Sequence, residues 1–269
     1  SIVSPSNRCG VTGLRPTFGR VSRTGGMALS WSMDKVGPIC RSAFDCALVF
    51  NSLLGADGFD QSVTNYPFNF NPALDIKKLK VGYLASLFGT ADENRANDSI
   101  SLEVFRKIGI NLSPVSLPDS ATIPLKSLAL LLVAESTAAF DDLTRSNKDD
   151  ELNLQDKNAW PNIFRAAQFI PAVQYIQANR LRYKLIQEMY AVTRQYDVII
   201  TPSFAGNQLL LTNLTGNPCV VVPNGFDSQK HPTSISFIGN LYDEATLLAF
   251  AKAYQDATRF DEQKPPLFK

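Results

Sequence analysis

The sequence contains a single histidine, His231, in a turn-like segment. One histidine cannot build a multi-histidine metal site, and nothing near His231 favours a Ser-His catalytic triad. Four cysteines are present and none forms a C-x-x-C pair, which argues against a zinc site or a redox motif: Cys9, Cys40, Cys46 and Cys219. We therefore expect no metal and no cofactor, and we interpret the cysteines as small buried side chains.

The sequence also lacks a charge imbalance and a long apolar run. The net charge is +1 and no basic face is indicated, so we expect no nucleic-acid partner. The longest apolar run, Leu128 to Ala134, is far shorter than the roughly 18 residues of a membrane span. No signal peptide is evident at the start. The compartment stays open, with the cytoplasm favoured, and the oligomeric state is unknown.

Several catalytic motifs are missing as well. There is no G-x-x-x-x-G-K-[ST] phosphate loop, no H-E-x-x-H zinc motif and no G-x-S-x-G nucleophile elbow. The acidic residues Asp149, Asp150 and Glu151 are adjacent in sequence and therefore point to different faces. A catalytic carboxylate pair is not indicated there, and the surrounding polar run is interpreted as a solvated loop or a helix start.

What is present is an alternation of strand and helix patterns. Runs rich in β-branched residues predict strands over residues 80–84, 112–117, 197–201, 219–223 and 233–239. Helical spacing predicts helices over 42–55, 99–109, 125–145, 160–196 with an interruption at Pro171, and from Asp243 onward. The glycine-rich residues 1–38 are predicted to be irregular. Strands separated by long helices indicate an α/β fold with helices covering the sheet.

The loop after the third predicted strand is a candidate pocket wall. It runs from Thr201 to Asn207, and in α/β sheets ligands gather beyond the carboxyl ends of strands. Phe204 and Asn207 are therefore predicted to bind substrate. A plain turn after a core strand is the alternative interpretation of the same residues.

The opening stretch, SIVSPSNRCGVTGLRPTFGRVSR, resembles the latter half of the motif that defines the amidase signature family, G-G-S-I-R-x-P-A-x-x-C-G-V-x-G-L-K-P-T-x-G-R-V-S. The matching residues are Ser1, Ile2, Pro5, Cys9, Gly10, Gly13, Leu14, Pro16, Thr17, Gly19, Arg20, Val21 and Ser22. SMDKVGPICRS over residues 32–42 resembles the family's S-x-D-x-x-G-P block. DVIITPS, NLTGNPCVVVPNG and DEATLLAFAKAYQDAT resemble its later blocks in the same order.

The resemblance implies a serine hydrolase that works without histidine. The nucleophile of the family falls on Ser1, and backbone N–H groups around its turn would hold the oxyanion. In the family a second serine relays the nucleophile's proton to a lysine, whose pKa desolvation can lower enough for it to act as a base. The implied activity is hydrolysis of a small-molecule carboxylic amide through an acyl-enzyme. The implied fold is a mixed β-sheet covered by helices.

This sequence departs from the family pattern at several points. Val3 stands where many members have arginine, and Arg15 replaces the commoner lysine. The family's two glycines, relay serine and lysine precede the position of Ser1, and no lysine of this chain takes that role. We therefore interpret residues 1–269 as the C-terminal portion of a single amidase domain. We expect the fragment alone to be inactive.

Three alternatives stay open. The parent protein could be the amidase subunit of a glutamine-dependent tRNA amidotransferase, which belongs to the same family. It could be a hydrolase whose mature N-terminal residue, Ser1, is activated by its own α-amine. The chain could also be a non-catalytic fragment or interaction module.

Overall fold

The computed structural model describes residues 1–88, 95–118 and 123–264. The α-helices in this part of the chain are α1 Val3–Cys9, α2 Ala43–Leu53, α3 Arg95–Lys107, α4 Leu130–Ala139, α5 Asp141–Arg145, α6 Trp160–Ala167, α7 Ala172–Thr193, α8 Gln208–Thr215 and α9 Glu244–Thr258. The strands are β1 Thr12–Arg15, β2 Ile39–Cys40, β3 Val81–Tyr83, β4 Leu112–Pro114, β5 Val198–Pro202, β6 Cys219–Phe226 and β7 Pro232–Gly239. Short 3-10 turns lie at Ile76–Lys78, Ala85–Leu87, Leu125–Ala129, Lys148–Glu151 and Phe260–Glu262.

The seven strands form one mixed sheet in the order β2-β1-β6-β7-β5-β3-β4. β3 pairs in parallel with both β4 and β5, whereas the pairs β1–β2, β1–β6, β5–β7 and β6–β7 are antiparallel. The longest ladder joins β6 to β7 and shifts register between Pro223 and Gly225. The α/β class and the mixed sheet expected from the sequence are therefore confirmed.

Both faces of the sheet are covered, which follows from its alternating side chains. Val198 and Ile200 of β5 belong to one buried cluster, which also contains aromatic residues of α2, α3 and α9. Ile199, between them, belongs to the opposite cluster with Leu185 and Met189 of α7. The central strands are apolar on both sides, and they therefore appear in the sequence as continuous β-branched runs.

Local signals in the sequence located α2 and the start of α7 well. Ser42 caps α2: its hydroxyl accepts the N–H of Asp45, and the Asp45 carboxylate accepts the N–H of Ser42. Pro171 immediately precedes α7 and separates it from α6, as the predicted interruption requires. In the described part of the chain no helix is both long and apolar enough to cross a bilayer.

The expectation that residues 1–38 are irregular is wrong for their first half. Residues 3–9 form α1 and residues 12–15 form β1, a fully buried strand. Gly10 ends α1 in the left-handed conformation with φ 64°, and its N–H bonds to the carbonyl of Asn7. A seven-residue helix and a four-residue strand are too short to show periodicity, so the glycines dominated the pattern.

Candidate active site

Ser1 lies at an exposed position just before α1, and α1 packs on the sheet. Val3 of α1 contacts Cys219 and Val221 of β6 in a small buried cluster. Gly13 of β1 makes this close approach possible, since a Cβ there would lie 2.3 Å from Ser6 Oγ and 2.8 Å from Ile2 Cγ2. The position of Ser1 is therefore set by the contact of α1 with β1 and β6.

An open cavity of about 570 Å³ has Ser1 in its wall. The wall is formed by α8, by the segment between β1 and β2, and by single residues from elsewhere. Its polar and charged residues are Ser1, Arg15, Arg23, Thr24, Ser30, Asp34, Lys35, Asp60 and Asn213, and its apolar residues include Ile2, Met33, Leu132 and Leu210. The cavity is thus lined by a serine, by several cationic side chains and by an apolar surface.

Arg15 brings a buried positive charge to this cavity from β1. One of its terminal nitrogens donates to Thr212 Oγ1 at 2.6 Å, and Nε has no hydrogen-bond partner. The side chain is almost wholly buried. Burial lowers the pKa of the Arg15 guanidinium, because desolvation disfavours the charged form.

Lys35 brings a second cation beside the first. Its Nζ donates to the carbonyl of Met33 at 2.8 Å and to Asn213 Oδ1 at 3.2 Å. Burial, followed by the positive charge of Arg15, holds the pKa of Lys35 well below its usual value. Gly37 lets this segment lie against β1, since a Cβ there would be 2.1 Å from the carbonyl oxygen of Leu14.

Glu135 of α4 holds another part of the cavity wall in place. Its carboxylate accepts hydrogen bonds from the Ser30 hydroxyl at 2.5 Å, from the Ser32 backbone and hydroxyl, and from the Tyr175 hydroxyl at 2.9 Å. Burial by itself raises the pKa of Glu135, but these hydrogen bonds outweigh it and the net pKa shift is downward. Arg182 of α7 also donates to the carbonyl and hydroxyl oxygens of Ser32.

The two predicted substrate-binding residues lie outside this wall. Phe204 and Asn207 are both exposed in the turn between β5 and α8, and neither is among the residues that line the Ser1 cavity. Leu210 and Asn213, on the following helix, do line it. The roles of Phe204 and Asn207 stay predictions. The sequence interpretation missed Arg15 and Lys35, although both lie within the quoted motifs.

Other features of the described residues do not compete with this cavity. His231 is exposed between β6 and β7, and its Nδ1 lies 3.2 Å from Asp227 Oδ2. A depression of about 570 Å³ along α7 is lined by side chains of that helix alone, with no serine, cysteine or histidine among them. Asp149, predicted to be solvated, is instead buried and paired with Arg165 at 2.7 Å. Cys46 and Cys219 are buried as expected, whereas Cys9 is exposed.

Residues 1–248 match the family described as Amidase. The chain belongs to the amidase family. It is 30% identical to a glutamyl-tRNA(Gln) amidotransferase component of Burkholderia mallei, in an alignment that covers 98% of this chain and 64% of that protein. The chain thus spans less than two thirds of the length of the curated relatives it matches.

Solved amidase structures share the fold. An amidase family protein from Bacillus anthracis superposes with a TM-score of 0.81 at 24% identity, over 99% of this chain and 56% of that one. A peptide amidase from Stenotrophomonas maltophilia superposes with a TM-score of 0.76 at 24% identity, over 96% of this chain and 60% of that one. The sheet and its covering helices are therefore the amidase arrangement.

The half-buried Lys35 leads to one prediction about the pH dependence of stability. The pKa of Lys35 is lower in the folded than in the unfolded chain, so the unfolded chain binds more protons at this residue and the contribution of Lys35 to stability rises with pH up to its unfolded pKa. Lys35→Met should therefore be most stable relative to wild type at low pH. Its advantage should shrink as the pH approaches about 10.4, with each unit of pKa depression corresponding to about 1.4 kcal/mol.

Urea unfolding at several pH values measures this difference. Lys184→Met serves as the matched control, because Lys184 is an exposed lysine of α7 and does not line the Ser1 cavity. We expect the control to show a difference from wild type that hardly varies with pH. A pH-independent difference for Lys35→Met would contradict the burial of a charged Lys35.

Proposed function

We propose that the protein is a serine-dependent amidase in which Ser1 forms the acyl-enzyme. Membership of the amidase family supports amide hydrolysis as the reaction. The observation that carries the role of Ser1 is its place in the wall of the charged cavity, just before α1. The proposal includes residues 1–269 as the C-terminal portion of a single amidase domain. The single sheet that joins the strands of the described residues supports this.

The proposed chemistry has two steps. Ser1 Oγ gives its proton to a base and attacks the amide carbonyl carbon, the C–N bond breaks, and the leaving nitrogen takes a proton. Water then attacks the resulting ester and releases the acid and Ser1. The family resemblance implies that backbone N–H groups around the turn that holds Ser1 donate to the oxyanion.

We assign the base that takes the proton of Ser1 Oγ to no residue of this chain. The family resemblance places a relay serine and a lysine before the motif, and our proposal transfers neither role to a residue of this chain. Residues 1–269 expressed by themselves should therefore not turn over an amide. Hydrolysis of a generic amide by that purified fragment would refute this part of the proposal.

Trapping of the intermediate tests the function directly. The intact natural gene product that contains this chain is mixed with an amide or its more reactive ester, quenched in acid and digested. Mass spectrometry should find the acyl group on the peptide that carries Ser1. The Ser1→Ala variant should carry no adduct. An acyl group on another residue, with Ser1 unmodified, would remove Ser1 from the proposal.

A second candidate is the amidase subunit of a glutamine-dependent tRNA amidotransferase. It is favoured by the 30% identity to proteins of that description. Co-purification with tRNA and with a partner protein, together with glutamine-dependent ammonia release, would favour it over a free-standing amidase. An intact chain running through Ser1 would exclude activation by a free α-amine, and failure to acylate any serine would favour a non-catalytic module.

A further inference from the structure

The wall of the Ser1 cavity contains three cationic residues, Arg15, Arg23 and Lys35, but only two carboxylates, those of Asp34 and Asp60. Arg15 is only 4% exposed and has no ion-pair partner within the described ranges. Its hydrogen bonds go to neutral oxygens, those of Thr212 and Asn217. Its Nε donates to nothing. A buried guanidinium nitrogen without an acceptor is costly unless another group completes the site.

Lys35, in the segment between β1 and β2, also donates only to neutral oxygens. Its ammonium group donates to a backbone carbonyl and to the amide oxygen of Asn213, both neutral. No described carboxylate lies within ion-pair distance of it. The adjacent Asp34 carboxylate accepts the backbone N–H groups of Leu29 and Ser30 at 2.8 and 2.9 Å. Its negative charge acts to raise the pKa of Lys35, but burial and the positive charges of Arg15 and Arg182 outweigh it.

The third cation of the wall, Arg23, has a counter-charge within the protein and therefore serves as a comparison for Arg15 and Lys35. Arg23 forms an ion pair with Asp60 at 2.8 Å and also donates to Ser62 Oγ. That charge is compensated within the protein. Arg15 and Lys35 are therefore the cations of the wall without an ion pair among the described residues. Burial lowers the pKa of Lys35 most, and the positive charge of Arg15 lowers it further.

An anion in the cavity beside these two groups would lower the cost of both charges. It would accept the remaining protons of Lys35 Nζ and would offset the repulsion between Lys35 and Arg15. The cavity is large enough for a small amide, and Ile2, Met33 and Leu210 offer apolar contact to its carbon chain. Ser1 lies in the same wall, so the anionic group and the scissile amide would belong to one small molecule.

We propose that Lys35 and Arg15 bind a carboxylate of the substrate, so that the site selects amides that carry an anionic group close to the scissile bond. This inference rests on the proposed amidase function and deepens it by naming the substrate class. Monoamides of short dicarboxylic acids have this chemistry.

Binding to a hydrolysis-deficient protein tests the inference separately from catalysis. The intact gene product with Ser1→Ala is titrated calorimetrically with succinamate and with succinamide, which differ only in the charged group, and then with glutaramate and glutaramide. We expect the anion of at least one pair to bind about 10- to 100-fold more tightly than its neutral partner, as charge-assisted hydrogen bonds predict.

Two changes at the cation should remove this preference. In the Ser1→Ala background, Lys35→Met should reduce the anion-to-amide ratio to about threefold or less. Asn213→Asp, which places a carboxylate beside the retained Lys35, should reduce it in the same way without deleting any side chain contact of the lysine. Lys35→Arg should keep part of the ratio, and the exposed-lysine control Lys184→Met should keep all of it.

The opposite results overturn the assignment. No measurable binding of either anion, or equal binding of anion and neutral amide, would do so. An equal loss of affinity for the anion and for the neutral amide in Lys35→Met would show that the lysine shapes the cavity but does not recognise the ligand's charge. Failure of the proposed role of Ser1 would be detected in a different experiment, the hydrolysis assay, as activity retained by Ser1→Ala. That result would not change the ratio of anion to neutral-amide affinity.

Discussion

Ser1→Ala is expected to lower kcat for amide hydrolysis about a million-fold in the intact gene product. Loss of the nucleophile removes the covalent route altogether, and removal of a catalytic serine in a comparable nucleophile–base assembly has an effect of that size. A residual rate above that in water, from binding and oxyanion stabilisation, is compatible with this expectation. Steady-state assay of released ammonia or amine measures the effect.

The control is a matched change three residues later. Ser4→Ala alters the same side chain type within α1, and Ser4 does not line the cavity. It should change kcat no more than a few-fold. Circular dichroism and unfolding midpoints of both variants should match wild type. Comparable activity of Ser1→Ala and wild type would end the role of Ser1 as nucleophile.

Glu244→Gln is expected to lower the free energy of unfolding by about 3–5 kcal/mol, the typical cost of breaking a buried ion pair. Glu244 opens α9, and its carboxylate lies 3.3 Å from Arg20 Nε with both side chains almost fully buried. Its other oxygen accepts the N–H of Thr17 at 2.8 Å. Glutamine keeps the shape and that hydrogen bond, but it leaves the Arg20 charge without a counter-charge.

Urea unfolding of the variant measures the loss, and α9 supplies its own control. Asp256→Asn breaks the Lys252–Asp256 pair on the exposed face of the same helix and should cost less than about 1 kcal/mol. The double variant Arg20→Met with Glu244→Leu should be less destabilised than the sum of the two single changes. A cost for Glu244→Gln no larger than that of Asp256→Asn would contradict a structural role for the buried pair.

The predictable parts of the fold are those that short stretches encode. The β-branched run of β5 and the capping box of Ser42 and Asp45 each contain their whole signal within a few residues. Periodicity therefore located the central strands and the long helices to within a few positions. α1 could not be predicted from the sequence, because it is short and lies near glycines, which indicate irregular structure.

The candidate site could be predicted only as far as Ser1, through the motif that resembles the amidase signature. Arg15 departs from that motif and Lys35 lies in the S-x-D-x-x-G-P block, but the sequence indicates a role for neither. Their importance depends on burial and on missing counter-charges, which no linear pattern records. Phe204 and Asn207 are predicted to bind substrate because they follow a strand, whereas Leu210 and Asn213 of the next helix line the cavity.

The sequence by itself determined the α/β class, the family resemblance and the serine to test, because periodicity and motif are properties of neighbouring residues. Only the tertiary structure decided which cations share the cavity. Arg15 bonds to Thr212 across 197 positions of sequence, and Lys35 to Asn213 across 178. Those contacts arise because β1 pairs beside β6 and α8 precedes β6, so sheet order and packing bring together charges that are far apart along the chain.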